Sequence, residues 1–168
     1  MKTAFLHGDL KEEIFMAQPK GFEVQGKKNL VCKLHKCLYG LKQAPRQWYK
    51  KFNKFMRNSG FHRCEEDHCF YVKKYVNNFI ILALYVDDML IVGANMAEID
   101  RLKKQLSENF EMKDLGATKQ ILGMIISRDR SEGILNLSQE KYIEKLFSRF
   151  NVENAKTRNT PLGTHLKF

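Results

Sequence analysis

LALYVDDMLIVGA, residues 82–94, is apolar at ten of its thirteen positions, yet two adjacent aspartates, Asp87 and Asp88, interrupt it. A run this apolar reads as a buried strand. Two charges in its middle do not belong in an apolar interior. A hairpin resolves the conflict. FIILALYV runs up, Asp87–Asp88 sits at the tip, and MLIVGA runs back. Aspartate is accepted in tight turns. Apolar strands on both sides hold such a tip rigid while the carboxylates reach solvent or a ligand. Adjacent carboxylates repel, so the pair is better tolerated with a cation bound. Hard oxygen donors suit Mg²⁺, which keeps its waters and bridges to phosphates. The plainer reading is an ordinary turn, and a lone Asp-Asp pair carries no more than that.

The rest of the chain sharpens the choice. Its 168 residues suit one domain or a tightly joined pair of subdomains, and 43% hydrophobic residues suffice for a sizeable core. Lys and Arg number 29 against 19 Asp and Glu, a net charge of +10. That excess predicts affinity for polyanions, nucleic acid first and an anionic membrane surface second. No apolar run reaches the length of a membrane span. The opening MKTAFLHGDL does not read as a signal peptide, since its apolar stretch is short and Asp9, Glu12 and Glu13 follow. Cys32, Cys37, Cys64 and Cys69 form two C-x4-C spacings with His35, His62 and His68 nearby. This spacing lies at the edge of the zinc range, and buried free thiols are the preferred reading.

Periodicity orders the remaining elements. KTAFLHGDLKEEIFMAQP reads as a strand end, a polar turn or short helix near residues 9–13, and a short strand stopped by Pro19. LVCKL is a short strand. A helix follows LYGLKQAP, with Pro45 in its first turn, Trp48, Phe52, Phe55 and Met56 at helical spacing, and Gly60 as its stop. HCFYVKKY and FIILALYV are strands around Asn77–Asn78. MAEIDRLKKQLSENF is amphipathic, with Ile99, Leu102, Leu106 and Phe110 on one face. KQILGMIISRD and GILNLS pair around a turn near residues 130–133. SQEKYIEKLFSRF closes as a helix with Ser138 as its N-cap. Residues 151–168 are polar and linker-like. The mixture predicts an α+β fold, an antiparallel sheet with helices on one face.

Four ordered blocks carry a resemblance. YVDD at Tyr85–Asp88 looks like the catalytic hairpin of reverse transcriptases. LYGLKQAPRQWY at Leu38–Tyr49 is similar to copia-type (Ty1/copia) retrotransposon polymerases, as are KTAFLHGDLKEEIFMAQPKGF and LSQEKYIEKLFSRF. The resemblance implies a right-hand polymerase. Residues 1–116 would be partial fingers and palm, and residues 117–150 a primer-positioning hairpin, with QILGMII in it, and a thumb-like start. Asp87 and Asp88 would be catalytic metal ligands for two Mg²⁺ ions, Asp87 the more direct. Tyr85 would lie beside the primer end. Phe5 matches the aromatic that excludes a 2′-OH, although alone it reads as a core residue. Gln43 would lie near the nucleotide. Lys42 and Arg46 would contact phosphate, or else form a solvated helix start. The implied partners are an RNA or DNA template-primer, deoxynucleoside triphosphates and the remainder of a Pol polyprotein, with no membrane. The implied location is cytoplasmic particles.

The family's first motif reads D-x-K-T-A-F, and here Met1 stands at x. Its Asp would precede Met1, and a free α-amino group would stand beside the metal site. Two-metal catalysis asks for carboxylates from separate strands. The fingers N-terminus, ribonuclease H and integrase also find no room. The expectation is therefore a polymerase fragment that is inactive alone, or a non-catalytic basic remnant that binds nucleic acid. Lys27–Lys28, Lys50–Lys51, Lys73–Lys74 and Lys103–Lys104, with Trp48 and Tyr49, would serve such binding. A truncated sheet is also expected to expose FIILALYV as an edge.

Overall fold

A computed structural model describes residues 3–27 and 29–156. Met1, whose amino group is expected beside a metal site, Lys28 of the Lys27–Lys28 pair and residues 157–168 of the linker-like tail lie outside the described residues. The chain divides into two units, residues 1–115 and 116–168. Among the described residues the fold is α+β, with three α-helices and three antiparallel sheets.

The first unit is built on a four-stranded sheet ordered β3 (His62–Arg63), β4 (Phe70–Lys74), β5 (Phe79–Tyr85), β6 (Asp88–Gly93). In β5, Ile80, Leu82 and Leu84 are buried and alternate with more exposed residues, the period of a half-covered sheet. That face meets two helices. Helix α1 (Ala44–Asn58) has Pro45 in its first turn, where a missing N–H costs nothing, and buries Trp48, Phe52 and Met56. Helix α2 (Met96–Asn109) buries Ile99, Leu102 and Leu106. Asn95 caps α2, its Oδ1 accepting from the amides of Ala97 and Glu98. These side chains, with Phe61, Tyr71 and Phe110, form one core. Gly60, at φ 80°, takes the left-handed turn that ends α1. A short sheet pairs β1 (Phe15–Ala17) with β2 (Val31–Lys33).

The second unit holds β7 (Gln120–Ile121), β8 (Met124–Asp129), β9 (Ile134–Ser138) and helix α3 (Glu140–Phe150). Strands β7, β8 and β9 form a three-stranded sheet.

Several expectations are corrected. The single sheet is three, because β1 and β2 are three residues each and the last sheet belongs to the second unit. The start of the first block is a 3-10 helix, Ala4–His7, rather than a strand end. FIILALYV is not an edge: β5 lies between β4 and β6, and among the described residues the edges of this sheet are β3 and β6. KQILGMIISRD is not one strand, because Leu122 and Gly123, at φ 50° and 82°, turn the chain between β7 and β8. Ser138 is one residue early for the N-cap of α3, which is Gln139, although its Oγ accepts from the amide of Glu140. Of the four cysteines only Cys37 is buried, and Cys69 is exposed. Among the described residues no group of three or more His, Cys, Asp or Glu is placed to hold a metal, zinc included.

Candidate active site

The hairpin of β5 and β6 closes at the pair Tyr85↔Asp88, leaving Val86 and Asp87 as its two-residue turn. The tip is thus one residue earlier than Asp87–Asp88, and Asp88 opens the return strand. Two-residue hairpin turns demand positive φ where glycine or asparagine usually sits. Here Val86 takes φ 51°, a strained conformation for a β-branched residue.

Asp87 is held from outside the hairpin. Its Oδ1 accepts the Ala4 amide at 2.9 Å and the Tyr39 hydroxyl at 2.6 Å. Ala4 lies in the 3-10 helix of the KTAFLHGD block, 83 residues away in sequence. Tyr39 lies in the tight turn before α1, where the Leu41 amide bonds the Leu38 carbonyl and Gly40 takes φ 96°. Its ring packs on Phe5, with centroids 4.4 Å apart. Burial, then the hydrogen bond and the charge of Asp87, push the Tyr39 phenol above its ordinary value. Tyr39 is therefore a protonated donor at neutral pH.

The structure gathers Asp87, Phe5 and, through the hairpin pairing, Asp88 and Tyr85. Asp88 and Tyr85 are exposed. The Gln43 amide donates to Glu12 Oε2 at 2.9 Å. Lys42 and Arg46 are exposed at the start of α1. Trp48 is only 2% exposed and belongs to the core, so it offers no ring to a nucleic acid. The acids of the first block have partners of their own: Asp9 pairs with Lys51 at 3.0 Å, Glu13 with Lys33, and Glu12 with Gln43. Tyr39 is the residue that sequence reasoning missed. It sat inside a recognised block, but no local pattern ties it to a carboxylate 48 positions on.

The donor set matches a hard divalent cation in kind, since Asp87 and Asp88 offer carboxylate oxygens. The described residues assemble no third acidic ligand beside them.

Comparison with known proteins settles the family. The reverse transcriptase (RNA-dependent DNA polymerase) family matches residues 1–164. The chain belongs to this family. Similar proteins are the Retrovirus-related Pol polyprotein from transposon TNT 1-94 of Nicotiana tabacum, 61% identical over 99% of this chain, and that from transposon RE1 of Arabidopsis thaliana, 37% identical over 97%. A transposon Ty5-1 protein of Saccharomyces cerevisiae is 36% identical over 95% of the chain. The chain spans 13%, 11% and 52% of these relatives' own lengths. No solved structure matches it. The expected copia-type reverse transcriptase is borne out, as a segment similar to part of larger Pol polyproteins.

Proposed function

We propose that this reverse transcriptase segment is the palm core of an RNA-directed DNA polymerase, acting within a longer Pol polyprotein. The observation that carries the reading is the Ala4–Asp87 hydrogen bond. It joins the first and the YVDD blocks, the two motifs between which a nucleotidyl-transfer site has to form. In this reading the four-stranded sheet with α1 and α2 is palm, and β7–β9 with α3 is the primer-positioning hairpin and the start of the thumb.

Asp87 and Asp88 would hold Mg²⁺, with a further carboxylate supplied by the parent protein. When bound, the ions supply Lewis acidity that activates the primer hydroxyl and neutralises the leaving pyrophosphate. The chain's own residues bind and orient. Phe5 walls the sugar site and excludes a 2′-OH. Tyr85, beside Asp88, faces the primer end. Gln43 lines the nucleotide side, and Lys42 and Arg46 take backbone phosphates. The partners are a template-primer of RNA or DNA and deoxynucleoside triphosphates. The same reading puts the parent enzyme in cytoplasmic particles, away from membranes.

Primer extension tests this. The parent polyprotein's polymerase region is expected to incorporate nucleotides with Mg²⁺, and Asp87→Asn to abolish it. The 168-residue chain alone is expected to incorporate none. Activity surviving Asp87→Asn refutes the site, and extension by the short chain refutes its need for another carboxylate. A second reading, a non-catalytic nucleic-acid binder, draws on the +10 charge. It requires binding that weakens steeply with salt and ignores sequence.

A further inference from the structure

We propose that Tyr39 is a positioning residue that holds Asp87 Oδ1 until a divalent cation displaces its hydroxyl. The inference rests on the reading of Asp87 as a cation ligand.

One carboxylate oxygen takes both donors, the Ala4 amide at 2.9 Å and the Tyr39 hydroxyl at 2.6 Å. Such an oxygen offers about two lone-pair directions. A cation that binds through Oδ1 therefore competes with these two hydrogens. The donors are not equally able to yield. Ala4 is fully buried in helical backbone, and its N–H points where the helix sends it. The Tyr39 hydroxyl turns about its C–O bond without moving the ring. Tyr39 is 48% exposed, so water can take the released hydrogen bond. Phe5 against the ring keeps Tyr39 in place meanwhile. Before a cation arrives, the two donors fix the direction of Asp87 and offset its repulsion with Asp88. After it arrives, the Ala4 amide keeps its hold on Asp87.

The test titrates the parent polyprotein's polymerase region, which carries the remaining carboxylate, with Mn²⁺ and reads free ion by electron paramagnetic resonance. Asp87→Asn is expected to weaken Mn²⁺ binding at this site by at least about tenfold. Tyr39→Phe is expected to bind about tenfold tighter, the effect of removing one competing hydrogen bond to a charged group. Equal or weaker binding by Tyr39→Phe, with Asp87→Asn still defective, overturns the role of Tyr39 and leaves the cation site standing. Binding unchanged in Asp87→Asn removes the cation site and the proposal with it. A measurement on the unaltered chain guards against a misfolded variant. With Mg²⁺ the Tyr39 ring resonances are expected to shift while the Ala4 amide stays protected from exchange. Loss of Ala4 protection with an unmoved Tyr39 means that the amide yields instead, and overturns the proposal.

Discussion

Phe110 stands edge-on to Trp48, with ring centroids 5.2 Å apart and planes at 85°. It also meets Phe52 and Phe55, so the residue that ends α2 locks that helix onto α1. Edge-to-face rings gain more than their area alone gives. Phe110→Ala is expected to cost about 3–5 kcal/mol in urea unfolding. A loss under about 1 kcal/mol would mean that the helices pack without it.

Gly93 sits where β6 crosses close to its neighbour. A Cβ there would meet Ile80 Cγ1 and the Phe79 carbonyl, both at 3.1 Å. The Phe79 oxygen is backbone and gives little. Gly93→Ala is expected to destabilise by about 1–3 kcal/mol, the usual range for overpacking. Chemical denaturation reads it directly, and an unchanged midpoint would show that the strands separate freely.

Val86 pays in strain for its turn position at φ 51°. It is 43% exposed, so little burial is at stake. Val86→Gly removes a strain of about 1–3 kcal/mol and adds back about 0.5–1 kcal/mol of unfolded-state entropy. The expected result is a rise in melting temperature. A fall would show that the valine side chain contributes more than its backbone costs.

His7 lies among Trp48 and Phe110, at 6.0 and 5.8 Å between ring centroids. Burial is the largest influence and holds its pKa below the usual 6.5, with Lys51 and Lys36 adding to it and Glu111 opposing. The unfolded chain therefore binds the proton more readily. This contribution to stability is present above pH 6.5 and is lost as the pH falls through the lowered folded value. His7→Phe is expected to flatten the pH dependence of the urea midpoint between neutral pH and about pH 5. An identical slope in both chains would assign that dependence to other groups.

The helices were legible because burial follows their period: Trp48, Phe52 and Met56 on α1, and Ile99, Leu102 and Leu106 on α2, lie where helical spacing puts them. The Asp-Asp hairpin was legible because charges inside an apolar run leave few alternatives. Its register was not. A one-residue offset at the tip depends on whether Val86 accepts a positive φ, and composition does not reveal that. The turn at Leu122–Gly123 was hidden likewise, since an apolar leucine at φ 50° interrupts what reads as one strand. At the site, the YVDD block announced Asp87, but two of its partners are Ala4 and Tyr39, whose contacts depend on tertiary folding.

The sheet order leaves β6 bonded to β5 on one side only, among the described residues. Asp88 rides on that strand, whereas Asp87 is moored to Ala4 and Tyr39. Two neighbours in sequence are thus held to unequal degrees. The Asp87 carboxylate is tethered to two other segments of its unit, whereas the Asp88 carboxylate extends, exposed, from an edge strand.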